Sequence, residues 1–182
     1  IAEWLEVKRL RKIVVSLTIG TVIFGITLSV LHQSGLGALF MMAKAKIHPL
    51  WYSEFIPILF LISSIFAGLS IIIVVGSISQ KVFKNQLKPD YQDSHKNIAF
   101  GFAKICAVAM FVYLFLRLLV LIHSQQWSLI NTPMGYWFLL EILGFVLVPF
   151  IFFIFGFKKR SMLLIHIASI MTIIGIILNR LN

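Results

Sequence analysis

Residues 55–78 read FIPILFLISSIFAGLSIIIVVGSI, and none of these twenty-four side chains carries a charge. Coiled as an α-helix at 1.5 Å per residue, the run is about 36 Å long, enough to cross the roughly 30 Å hydrocarbon core of a bilayer. No face of it is polar enough to meet water. The apolar residues are continuous rather than alternating, which argues for a spanning helix and against a strand of a β-barrel.

Four further runs repeat the pattern, so spans are expected at about 13–31, 55–78, 98–122, 135–157 and 161–178, the first continuing as helix past His32. Composition agrees. Of the 182 residues 60% are hydrophobic and only 12% charged, with a mean hydropathy of +1.00. A soluble domain is typically about 45–50% apolar and about 25% charged. The expected fold is therefore an all-α integral membrane protein of about five transmembrane helices, one helical domain over residues 1–182, with the lipid bilayer as its solvent.

The net charge of +10 would suggest nucleic acid in a soluble protein, but 14 of the 16 Lys and Arg residues stand at or beyond the ends of the apolar runs. There they anchor helix ends and set orientation, and no nucleic-acid partner is expected. The segments before the first run, after the second and after the fourth hold eleven cations, against three on the opposite side. The positive-inside rule then places the N-terminus in the cytoplasm and the C-terminus outside. Trp51, Trp127 and Trp137 fall at the outer interface as an aromatic belt would. Residues Trp4-Leu5-Glu6 ahead of the basic stretch Lys8–Lys12 read as an interfacial segment of a larger assembly, so a missing N-terminal half or another membrane chain is expected as a partner.

One cysteine, Cys106, lies inside an apolar run, with no Cys-rich cluster. Cysteine-ligated iron–sulfur clusters and internal disulfides are excluded, and no metal site is expected. Any redox chemistry must reach this chain from elsewhere.

Ionisable groups inside membrane helices are costly and are functional candidates by default. At the outer end these are His32 and Gln33 on the first helix, Arg117 and His123 on the third and Glu141 on the fourth, with His48 and Glu54 in the outer loop. Arg117 and Glu141 lie at similar depth on helices joined by a short loop, so an intramembrane pair is expected. Near the inner face lie Lys104, read as snorkelling to the interface, and His166, read as bonding a backbone carbonyl. The stripe Thr18, Thr21, Gly25, Ser29, His32 on the first helix reads as a packing face towards other helices. Bis-histidine haem is the competing use of His32 and His123, but each helix offers at most one histidine and those stand at helix ends, so no haem is expected.

Several stretches resemble one family: His32-Gln33-Ser34-Gly35-Leu36-Gly37-Ala38-Leu39, His48-Pro49-Leu50-Trp51-Tyr52, the Pro57–Gly68 run, Tyr113–Leu118 with Arg117, Glu141, and Gly175 to Asn179-Arg180. Together they resemble the NrfD-like membrane subunits of polysulfide reductases, in particular the HybB type. The resemblance covers nearly all of the chain. It implies a haem-free subunit of a bacterial or archaeal cytoplasmic membrane that exchanges electrons between a ferredoxin-like iron–sulfur subunit and menaquinone or ubiquinone. Behind the iron–sulfur subunit stands a catalytic oxidoreductase subunit of hydrogenase, molybdopterin or sulfur-metabolism type. Family members have two four-helix bundles, and this chain would match the second bundle plus one preceding helix. On this reading Glu141, Arg117 and His32 serve proton transfer in the quinone region, and His32, Gln33, Ser34, Trp51 and His123 contact quinone. A transporter or channel subunit would use the same buried charges, but would show broken helices or inverted repeats; a purely structural membrane anchor is the third possibility.

Overall fold

The computed structural model describes residues 8–83, 89–125 and 127–181, without the side chains of residues 8–12 and 89–93. The interfacial segment Trp4–Glu6, the side chains of the basic stretch Lys8–Lys12, and Lys84 and Lys88 lie outside that description. Among the described residues all regular secondary structure is helical, with α1 at Lys8–Met42, α2 at Ile56–Val82, α3 at Pro89–Ser124, α4 at Pro133–Leu139, a π-helical segment at Leu140–Leu147, α5 at Val148–Lys158 and α6 at Met162–Leu181. The stretch from Pro133 to Lys158 is one continuous span, so five helices are long and apolar enough to cross a membrane. The protein is an integral membrane protein.

Several ends differ from the sequence reading. The second helix runs to Val82 and the last from Met162 to Leu181, while the first continues past His32 as expected, to Met42. The polar stretch between the second and third runs is helical from Pro89. Proline at the first helical position sacrifices no internal hydrogen bond, which suits it to that start.

The spans α2, α3, α4–α5 and α6 close into a four-helix ring, each packed against two neighbours, and α1 lies outside the ring against α2. The ring interior is apolar, with Phe66, Ile73, Met110, Phe153 and Ile165 almost fully buried. Cys106 is buried there too, its Sγ 3.8 Å from the Phe66 carbonyl. A second cluster, Leu50, Leu121, Phe138 and Ile142, caps the end where α3 finishes and α4 starts.

α1 touches the ring through its last turns. A Cβ on Gly37 would stand 2.9 Å from the Pro57 Cα, so only glycine lets the two backbones approach this closely. One turn on, Phe40 packs on Phe60 with ring centroids 5.5 Å apart. Towards its N-terminus the helix is exposed, including the stripe expected to face other helices. Thr18 and Thr21 donate to the carbonyls of Val14 and Leu17 instead.

The π-helical segment has a local cause. Pro149 has no N–H, and its ring would press on the carbonyl of Phe145 in a regular α-helix. The widened turn relieves that contact, and the Val148 N–H reaches back five residues to the Leu143 carbonyl. The bulge leans on α6, where a Cβ on Gly175 would stand 2.5 Å from the Cβ of Phe145. The segment carries Glu141 in its first turn.

Candidate functional site

Because the helices alternate in direction, the end of α1, the 43–55 loop, the start of α2, the end of α3, the start of α4 and the end of α6 meet at one end of the bundle. A cleft opens there, enclosing about 600 Å³ of empty space with its open mouth included. Phe40 of α1, Ile47 and Trp51 of the loop, and Ile56, Leu59 and Phe60 of α2 form its apolar and aromatic walls. Polar groups enter from the other side: Tyr113 and Arg117 from α3, Asn179 and Arg180 from α6. The mix of flat apolar walls with a few convergent polar groups is typical of a small-molecule site.

Local chemistry fixes each of these groups. Loop residues 48–52 turn tightly, the Trp51 N–H donating to the His48 carbonyl at 2.9 Å while His48 Nδ1 accepts from the Leu50 N–H at 3.3 Å. This turn lays the Trp51 indole edge-on against Phe138, centroids 5.4 Å apart. Its Nε1 then donates to Glu141 Oε2 at 2.9 Å. Asn179 Nδ2 donates to Glu141 Oε1. The carboxylate is 5% exposed and is held by two residues that themselves line the cleft. A buried carboxylate persists only when hydrogen bonds of this kind replace its water.

The two arginines are placed differently. Arg117 is 4% exposed and stacks over the Phe138 ring, 5.4 Å from its centroid. Its Nε and Nη1 are buried without a hydrogen-bond partner. Arg180 stacks over Phe60 at 3.4 Å and donates through Nη2 to Ser63 Oγ at 2.8 Å, while its Nη1 has no partner. Glu141, Arg117 and Tyr113 are all close enough to Arg180 to act on its charge.

Of the residues singled out in the sequence, the fold therefore brings Trp51, Arg117 and Glu141 together, the first two on the cleft wall and the third directly behind it. His32 and His123 are exposed, and neither they nor Gln33 and Ser34 line the cleft. Glu54 and Lys104 are exposed, as a solvated loop acid and a snorkelling lysine would be. His166 finds a hydroxyl rather than the expected backbone carbonyl, its Nε2 lying 2.5 Å from Ser77 Oγ. Asn179 and Arg180 were missed as site residues, because the last run was read as ending at Leu178 and Arg180 as a cation beyond it. Two polar residues in succession where an apolar run ends are the signal that would have found them.

A family model for the polysulphide reductase NrfD matches residues 2–182. The chain belongs to the NrfD family. A protein of Nitratidesulfovibrio vulgaris (strain Hildenborough) is 38% identical over 180 residues, which is 99% of this chain and 46% of that protein. The probable Ni/Fe-hydrogenase 2 b-type cytochrome subunit of Escherichia coli K12 is 32% identical over 106 residues, 58% of this chain and 26% of that one. This NrfD-family chain thus spans about half the length of the first of these relatives. No solved structure matches it. The matched region takes in all five spans and every residue of the cleft.

Proposed function

We propose that this chain is the quinone-handling part of a membrane subunit in a respiratory oxidoreductase complex. In that complex it passes electrons between an iron–sulfur partner subunit and the menaquinone or ubiquinone pool. The observation that carries the reading is the cleft. A quinone head group is a flat ring with two carbonyl acceptors and an apolar tail. Phe40, Phe60 and Tyr113 offer the aromatic surroundings, and Arg117 and Arg180 offer buried N–H donors without partners. Glu141 orients Trp51 and Asn179 from behind, and as an ionisable group beside the site it is the proton acceptor we assign to quinol oxidation, or the donor in the reverse direction.

Sharing the family with a hydrogenase membrane subunit supports an oxidoreductase partner, with the iron–sulfur protein as its link to this chain. That relative's name mentions a b-type cytochrome. Ligation by two histidines needs two imidazoles facing across one iron. Here the cleft is lined by no histidine, His32 and His123 are exposed, and His166 is engaged with Ser77. We therefore assign this chain no haem.

The test is turnover by the purified complex. Glu141→Gln keeps the shape and, with Asn179 flipped, one hydrogen bond to each neighbour, but it carries no proton. The variant is expected to assemble, to retain partner-centred reduction of an artificial dye, and to lose most quinone-linked turnover. Full quinone turnover would reduce Glu141 to a clamp. No quinone-dependent turnover in the unaltered complex would favour the transporter or anchor reading.

A further inference from the structure

The cleft has more positive charge than a neutral ligand can answer. Two guanidinium groups stand on its wall, and none of the described residues lining it is a carboxylate. The flat faces of both guanidinium groups are taken up by Phe138 and Phe60. Their edges are only partly taken up: Arg180 Nη2 donates to Ser63, but Arg117 Nε, Arg117 Nη1 and Arg180 Nη1 are buried and without partner. Glu141 is the one acid found to act on Arg180, and its two oxygens accept from Trp51 and Asn179. Lys44, from the loop at the same end, lies over the Tyr52 ring and adds no negative charge. Among the described residues, two cations against one carboxylate leave one positive charge uncompensated inside an apolar site. A carbonyl oxygen would accept from the free N–H groups but leave that charge standing. An oxyanion answers both, and hydrogen bonds between ionised partners are about twice as strong as neutral ones.

We infer that the cleft selects the hydroquinone monoanion, with one phenolate oxygen held between Arg117 and Arg180, over the neutral quinone and quinol. This rests on the quinone reading above. In the reductive direction the quinone takes two electrons from the iron–sulfur partner and one proton to become the monoanion, and a second proton releases it as quinol. In the oxidative direction quinol loses one proton on binding, then gives two electrons to the iron–sulfur partner and its second proton to an acceptor. Holding the intermediate as an anion makes the ring oxygen a better electron donor than neutral quinol, because no O–H bond need break as the first electron leaves.

A 2-hydroxy-3-alkyl-1,4-naphthoquinone is a stable stand-in, since its acidic enol is ionised at neutral pH and it has the size of a menaquinone head group. Its 2-methoxy counterpart has nearly the same shape and cannot ionise. Both are titrated into the intact complex in nanodiscs, with Trp fluorescence quenching as readout. The hydroxy compound is expected to bind at least ten-fold more tightly at neutral pH, and to lose that advantage when the pH is lowered until its enol is protonated. Arg180→Gln should weaken the hydroxy compound far more than the methoxy compound, and so abolish the difference between the two. Equal affinity of the two compounds for the unaltered complex would overturn the inference and leave the quinone reading standing. Binding of neither compound would overturn both. The comparison in the unaltered complex decides the matter even if Arg180→Gln does not assemble.

Discussion

The indole Nε1 of Trp51 donates to the carboxylate of Glu141 at 2.9 Å, joining an extramembrane loop to a residue ninety positions later inside the fourth span. The contact closes the cleft floor on one side, and Asn179 closes it on the other. Trp51→Phe keeps the aromatic packing against Phe138 and deletes the donor. A buried carboxylate left short of a hydrogen bond costs about 1–3 kcal/mol. The variant is expected to unfold at a lower temperature and to bind quinone more weakly, while Trp127→Phe, at an exposed tryptophan between the third and fourth spans, changes neither by a comparable amount. Thermal unfolding followed by a thiol-reactive dye reporting buried Cys106 reads the first effect.

Gly175 makes room for the bulge that carries Glu141. A methyl there meets Phe145 at a distance that forces one of the two to move. Gly175→Ala is therefore expected to cost about 1–3 kcal/mol by overpacking and to disturb the Asn179–Glu141 contact one turn further along α6. Lower thermal stability with weakened quinone binding is the expected pair of results. Unchanged quinone affinity would show that the bulge and the cleft are independent.

The span count was plain from continuity alone, because runs such as 55–78 have no polar face to offer water. That Arg117 and Glu141 lie at the same end of the bundle followed from counting residues along antiparallel helices. Other features depend on contacts that no run of sequence displays. The Trp51–Glu141 bond links a loop to a distant helix. The π-helical turn follows from Pro149 only once α6 supplies Gly175 as the surface it leans on. His32 looked chemical because imidazole is rare in a span, yet nothing in the pattern of α1 says which face meets α2. That face is set by Gly37 and Phe40, an inconspicuous pair beside a histidine.

Orientation is tested with cysteines placed at exposed positions of opposite ends, Ser128 and Lys159, in a Cys106→Ala background. The eleven-to-three asymmetry of cations puts Ser128 outside and Lys159 in the cytoplasm. An impermeant maleimide added to intact cells is expected to label position 128 alone. Labelling of position 159 alone would place the cleft at the cytoplasmic face and move the docking side of the electron-transfer partner with it.

The proposal that this chain binds no haem predicts an optical result. The subunit freed of cytochrome-containing partners should show no b-type bands in its reduced-minus-oxidised spectrum. A stoichiometric signal lost in His32→Ala or His123→Ala would overturn the haem-free reading.

The central claim is that quinone occupies the cleft between α2, α3 and α6. Photolabelling of the complex with an azido-menaquinone, followed by mass spectrometry of the digested chain, tests it most directly. The account predicts adducts on peptides carrying Phe60, Tyr113 or Asn179-Arg180, suppressed by excess unlabelled quinone. Suppressible labelling confined to the exposed length of α1 around His32, with none in the cleft, would contradict it.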